Sequence, residues 1–260
     1  MNARPIIDVD AITLAAFGLE DDYGPLVTPF HVHQKHQLLY AAEGTLKLEV
    51  EGSQWLLPPQ RAAWIGAGVP HRVHALGRVA LRTVYLAPPL AGAPTGACVV
   101  FAAEPLCREM ILYAMRWGPE RAAEDERARV FFAALGALAG LWAEAALPFR
   151  LPTARSPELE RAMAYAIEEI GREPTIEGAA KRAGLSVRTL SRRFGDEAQT
   201  TWRQFLHQAR MMRAMELLGE PGARVTDTAF AVGFESLAAF TRAFEEFTGL
   251  LPKDFRKGRS

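Results

Sequence analysis

Cysteine is scarce: Cys98 and Cys107 are the only thiols in 260 residues. Two cysteines cannot supply the disulfide framework of a small secreted scaffold or a four-thiolate zinc site. They lie nine residues apart among Val99, Val100, Leu106 and Met110, and read as small core or interface residues. Excess charge is missing too, since 30 Lys and Arg balance 30 Asp and Glu. Any nucleic-acid partner must therefore be met by a local patch rather than by the field of the whole molecule. No apolar run approaches the roughly 18 residues of a membrane span, so no membrane partner is expected. The opening MNARPIIDVDAITL carries acids where a signal peptide needs basic and then apolar residues, and a cytoplasmic location is the expectation.

What the chain does have is a repeat. IEGAAKRAGLSVRTLSRRF (residues 176–194) and VTDTAFAVGFESLAAFTRAF (residues 225–244) share one spine. Ala180, Gly184, Ser186, Leu190, Arg192 and Phe194 answer to Ala229, Gly233, Ser236, Phe240, Arg242 and Phe244. The offset is 49 residues up to the glycine and 50 after it, so the second turn is one residue longer. Each part has a physical reason. The small alanine lets two helices approach, the glycine can take the positive φ of a tight interhelical turn, and the serine can cap the second helix. Val187, Leu190 and Phe194 form an inward stripe, which leaves Arg188, Ser191 and Arg192 on the opposite face. A helix of that kind fits a major groove, where arginine pairs bidentately with guanine, and Arg193, one step round, is expected to meet phosphate.

The second copy buries Phe240, Phe244 and Phe247 and presents Leu237, Ala238, Thr241 and Arg242, a face poorer in donors. More discrimination is expected from the first unit. Charge agrees: residues 181–213 hold eight Lys or Arg against two Asp or Glu, whereas residues 214–260 hold six against seven.

From about Ser156 to Arg259 the chain resembles the DNA-binding domain of the AraC/XylS family of bacterial transcription regulators. The carrier of that resemblance is AVGFESLAAFTRAFEEFTGLLPKDFR, with Gly233, Phe234, Phe240, Phe244, Gly249, Pro252 and Arg256 in the family's positions. That family joins its two units by a long helix, which TWRQFLHQARMMRAMELL supplies within residues 200–218. Trp202, Phe205, Leu206, Ala209, Met212, Met215 and Leu218 fall mainly on one face. A rigid helix there would hold the recognition helices about one DNA turn, roughly 34 Å, apart.

Upstream, LPFRLPTARSP (residues 147–157) has three prolines in eleven residues and no periodicity, and marks a boundary. Ser156 and Pro157 read as the cap and first position of the next helix. Earlier still the period drops to 2. Leu46, Leu48 and Val50 alternate with charged residues, Glu51 and Gly52 can turn, and short runs follow at residues 53–57, 61–65, 71–75 and 79–86. Many short strands suggest a barrel or sandwich. Two helices are predicted next, at 105–117 and 124–146. The second carries a stripe of Phe131, Leu135, Leu138 and Trp142, widened by Val130, Ala134 and Leu141.

His31 and His33 alternate on a predicted strand and so share a face. HVHQKHQLLYAAEG (residues 31–44) resembles the first cupin motif, and GAGVPH (residues 66–71) the second. Carried over, that resemblance makes His31, His33 and His71 three imidazole ligands for a divalent transition metal. Gln37 stands where cupin enzymes have Glu, Gly66 where a proline is usual, and Ala75 where an Asn is common. The alternative is a small-molecule pocket without an ion, expected around Gln37, Tyr40, Trp64 and His71.

The expected architecture is α+β in two domains. A cupin-like sensor barrel spans residues 1–98, a helical dimerisation element 99–147, a linker 148–156 and an AraC-type DNA-binding domain 157–260. Within the last, the helix-turn-helix units cover 176–195 and 225–247. The expected function is sequence-specific transcription regulation controlled by a small-molecule effector in the barrel, with no catalytic residues and no required cofactor. Promoter DNA, a second copy of the chain and RNA polymerase are the expected partners. The alternatives are a cupin metalloenzyme, dioxygenase or isomerase in type, and a constitutive DNA-binding protein with a vestigial barrel.

Overall fold

The computed structural model describes residues 7–50, 53–57, 61–75, 78–94, 96–121, 125–144, 150–220 and 222–257. The expected turn at Glu51 and Gly52, the start of the linker and both ends of the 124–146 helix lie outside them. The chain divides into two compact units, one of Met1–Val50 with Trp55–Pro148, the other of Glu51–Gln54 with Phe149–Ser260.

The first unit is a sandwich of two sheets. Its strands are β1 (Ala16–Tyr23), β2 (Leu26–Val27), β3 (His36–Glu43), β4 (Leu46–Val50), β5 (Ser53–Leu57), β6 (Arg61–Ile65), β7 (His71–Ala75), β8 (Val79–Leu86) and β9 (Cys98–Ala102). One sheet runs β1-β8-β3-β6-β9, and in the other β5, β4, β7 and β2 follow one another. Among the described residues the ladders do not join into one ring, so the expected barrel is an open sandwich. β1, β2, β3 and β9 lay outside the expected strands: β1, β3 and β9 do not alternate cleanly, and β2 is only two residues long.

Strand parity sorts the side chains. On the first sheet Leu38, Trp64, Val84 and Val99 stand in register and face outward, while Leu39, Ala63, Thr83 and Val100 face the second sheet. The inward set packs against Leu46, Leu48, Val73 and Ala75. The outward set is covered by two helices, α1 (Pro105–Ala114) and α2 (Glu126–Glu144). α2 buries Phe132, Leu135 and Ala139 and lies close to the chain at Leu90, whose carbonyl a Cβ at Gly136 would strike. Val130 and Leu141 point away from this core, 58% and 60% exposed.

The second unit is helical apart from a short strand, β10 (Arg150–Pro152). Its helices are α3 (Pro157–Glu168), α4 (Ile176–Ala183), α5 (Val187–Ala198), α6 (Trp202–Leu218), α7 (Val225–Ala231), α8 (Leu237–Thr248) and α9 (Pro252–Lys257). Ser156 caps α3 through its hydroxyl, and Pro157 follows as the first helical residue. α6 runs through the middle. Phe205, Ala209, Met212, Met215 and Leu218 are buried as the stripe predicted, and Met211 and Ala214 are buried as well. This extra burial follows from α3, α7, α8 and α9 all packing on α6. Thr201 and Gln204 form a reciprocal capping box at its start.

Candidate nucleic-acid interface and candidate ligand site

The repeat read from the sequence extends to the backbone. In the first unit Leu185 N–H donates to the Ala180 carbonyl at 2.9 Å, and in the second Phe234 N–H donates to Ala229 at 3.0 Å. Gly184 and Gly233 hold φ of 71° and 78°, the left-handed region that lets the chain reverse between helices. Ser186 and Ser236 then accept from the N–H groups of Thr189 and Ala239, both at 3.2 Å. α5 and α8 each run 12 residues.

On α5, Leu190 and Phe194 are buried while Arg188, Ser191 and Arg192 are exposed. Neither arginine pairs with a carboxylate among the described residues, so both guanidiniums project unneutralised into solvent. Arg193 is placed differently. Its Nη1 lies 3.2 Å from both Glu158 and Glu197, and Glu197 also accepts from the Ser156 N–H and hydroxyl. The Arg193 charge is thus spent pinning α5 to the start of α3. On α8, Leu237, Ala238 and Arg242 are exposed and Thr241 is half-buried. Arg242 lies 3.5 Å from Glu246, which leaves this face nearly neutral. Arg256 donates to the Ala223 carbonyl at 2.9 Å and so braces the approach to α7.

In the sandwich a cavity of about 340 Å³ opens between the sheets. Leu19, Leu26, Leu39, Leu46, Val73 and Leu81 make it apolar, and Asp21, Tyr23, Thr28, His31, Gln37, Thr83 and Tyr85 add polar groups. Among the described residues no lysine or arginine lines it. Gln37 points in because it shares the parity of Leu39. Tyr40 and Trp64, expected in the pocket, have the opposite parity and lie in the core beneath α1 and α2. Asp21, Thr83 and Tyr85 were missed. Their signal was the i, i+2 spacing of Thr83 and Tyr85 on β8, legible only once that strand's inner face is known.

Of the three histidines only His31 lines the cavity; His33 and His71, the latter expected in the pocket, are buried beside it and do not line it. The three do not share a strand face. His31 joins the sheet only by a single bridge to His71, His33 lies in a loop, and β3 begins at His36. Even so, one nitrogen from each of His31, His33 and His71 lies within 4.8 Å of the other two. The Nδ1 atoms face the carbonyls of Pro29 at 3.1 Å, Lys35 at 2.7 Å and Val69 at 2.8 Å. Each Nδ1 therefore carries the proton and each Nε2 presents a lone pair. The Nε2 of His71 is buried with no hydrogen-bond partner among the described residues. Burial pushes the His71 pKa down to about 4 and lowers that of His33, so both rings stay neutral. Gln37 Oε1 stands 3.2 Å from His33 Nε2, and its Nε2 donates to the Tyr85 hydroxyl at 3.4 Å. Two acceptors facing each other at that distance repel unless a cation lies nearby or the amide turns over. A converging Nε2 set, each ring steered by a carbonyl behind it, fits a divalent transition metal.

Comparison with known proteins gives two family matches. The AraC-like ligand binding domain matches residues 14–146, just over half of the chain, and a helix-turn-helix domain matches residues 179–258. The HTH-type transcriptional regulator NimR of Escherichia coli K12 is 29% identical over 241 residues, covering 91% of this chain and 85% of its own. The HTH-type transcriptional activator RhaS of Klebsiella pneumoniae is 31% identical over 107 residues, 41% of this chain and 38% of its own. A solved structure of ToxT from Vibrio cholerae aligns over 94% of this chain and 98% of its own at 9% identity and a TM-score of 0.40.

Proposed function

Because the chain belongs to the AraC family of transcription regulators, with that family's ligand-binding domain ahead of a helix-turn-helix domain, we propose that it reads promoter sequence chiefly through α5. The observation that carries this reading is the Ser186-capped helix whose exposed Arg188, Ser191 and Arg192 have no carboxylate partner among the described residues. Arginine on such a face can chelate guanine O6 and N7, and Ser191 can accept from or donate to a neighbouring base edge. α8 reads less: Leu237 and Ala238 offer apolar contact to a thymine methyl, Thr241 one hydroxyl, and Arg242 a charge shared with Glu246. Arg193, already held by two carboxylates, acts in positioning α5 rather than at phosphate.

The sandwich is the sensor. Its cavity takes a small-molecule effector, and binding shifts the population of DNA-competent states by the difference in affinity between them. His31, His33 and His71 hold a divalent transition metal, which would supply a Lewis-acidic centre beside that cavity. A neutral amide at Gln37 offers no general base there, and NimR and RhaS are transcriptional regulators, so we read the centre as a recognition element and not as an enzyme. The outer face of α2, with Val130, Ala134 and Leu141, joins two copies, which doubles the DNA contact. RNA polymerase is the remaining partner, and the cytoplasm, where the chromosome lies, the location.

Selection of bound fragments from the source genome by the purified protein tests the reading. Enrichment of a few sites sharing a motif about one or two helical turns long is the expected result. Uniform recovery at moderate salt would sink it.

A further inference from the structure

We propose that the effector is a small monocarboxylate with an apolar tail, bound through the metal at His31, His33 and His71, and that Gln37 is the residue that sets this choice. The inference rests on the metal and effector reading above and deepens it.

The argument is one of charge. Among the described residues the cavity is lined by no ammonium or guanidinium group; its lining includes His31, whose ring nitrogens cluster with those of the buried His33 and His71, and the Asp21 carboxylate, to which the Tyr23 hydroxyl donates. Without an ion such a surface repels a carboxylate and attracts an amine. Three neutral imidazoles leave a divalent cation's charge of two undiminished, and the Gln37 amide removes none of it. A glutamate at that position would cancel half and would itself compete for the cation. The ion therefore inverts the sign of the site, and the glutamine preserves the inversion. Hydroxyls of Thr83 and Tyr85 line the same cavity and can donate to a carboxylate oxygen. The remaining wall, Leu19, Leu39, Leu46, Val73 and Leu81, suits an alkyl or aryl tail. At about 30 Å³ per water-sized group, 340 Å³ holds on the order of ten non-hydrogen atoms.

The test uses the full chain, stripped with chelator and reloaded with Co²⁺, whose visible spectrum reports its ligands. Acetate, hexanoate and benzoate are titrated against loaded and stripped protein, with benzamide and benzylamine as neutral and cationic controls. The expected results are one Co²⁺ per chain, a spectral change with carboxylates but not with benzamide, and affinity rising from acetate to hexanoate or benzoate. Carboxylates should bind at least tenfold tighter to loaded than to stripped protein, and benzylamine should show the reverse preference. Gln37→Glu should keep Co²⁺ and lose at least tenfold in carboxylate affinity, with its thermal melt confirming that it folds.

Failure to bind Co²⁺ would remove both the metal reading and this inference. Co²⁺ binding with no spectral response to any of the three carboxylates would overturn the inference alone. So would equal carboxylate affinity in stripped protein, or in Gln37→Glu.

Discussion

At the residue scale, two adjacent arginines on one helix have opposite fates, although the sequence set both facing DNA. Arg192 is exposed and Arg193 is shared between Glu158 and Glu197. Arg192→Ala is expected to cost about 1–3 kcal/mol on the specific site while sparing non-specific binding, measured by titration of operator against scrambled duplex. An equal loss on both duplexes would assign Arg192 to phosphate instead. Arg193→Ala should lower unfolding stability by about 1 kcal/mol in urea, a modest figure because the pairs are partly solvated. The thiols give a further check. Burial raises the pKa of both Cys98 and Cys107, and the thiolate is the reactive form. Neither should react appreciably with a thiol-specific reagent at pH 8 until the chain is unfolded. Fast labelling of the native protein would show that the packing around β9 and α1 is wrong. Their neighbours made Cys107 legible as core and Cys98 as partly buried against it, whereas the Arg193 partners come from 35 residues upstream and 4 downstream.

At the element scale, the two interhelical turns look equivalent in sequence and differ in space. Gly184 has open space where a Cβ would stand, so Gly184→Ala should cost only the backbone strain of its positive φ, about 1–2 kcal/mol. At Gly233 a Cβ would also meet the Ile170 carbonyl at 2.8 Å, so Gly233→Ala should cost clearly more. Thermal melts of the two variants decide this, and equal losses would refute it. The serine, the glycine and the apolar stripe announced both turns, because cap, turn and period are local properties. The strand expected to carry His31 and His33 does not form. Alternation of two histidines mimics a strand, yet the local chain is a loop crossed by one bridge to His71.

For the whole molecule, the exposed stripe of α2 is where self-association is expected. Val130, Ala133, Ala134, Ala137 and Leu141 recur at helical spacing and all face away from the sandwich core. Leu141→Glu should leave the melt nearly unchanged, since that side chain is 60% exposed, and should shift the chain from dimer to monomer in sedimentation. A dimer that survives would place the interface elsewhere. The two-unit α+β architecture, the five consecutive strands β4 to β8 and the paired helix-turn-helix units were all readable in the residues, because each follows from period, cap and turn within a short span. Tertiary structure alone decided the rest. It put Gln37 inside the cavity and Tyr40 and Trp64 outside it, brought His71 to His31 and His33 across 38 to 40 residues of chain, and kept Arg192 free while tying up Arg193. Those outcomes depend on which face of each strand or helix meets a neighbour distant in sequence, and no local pattern carries that information.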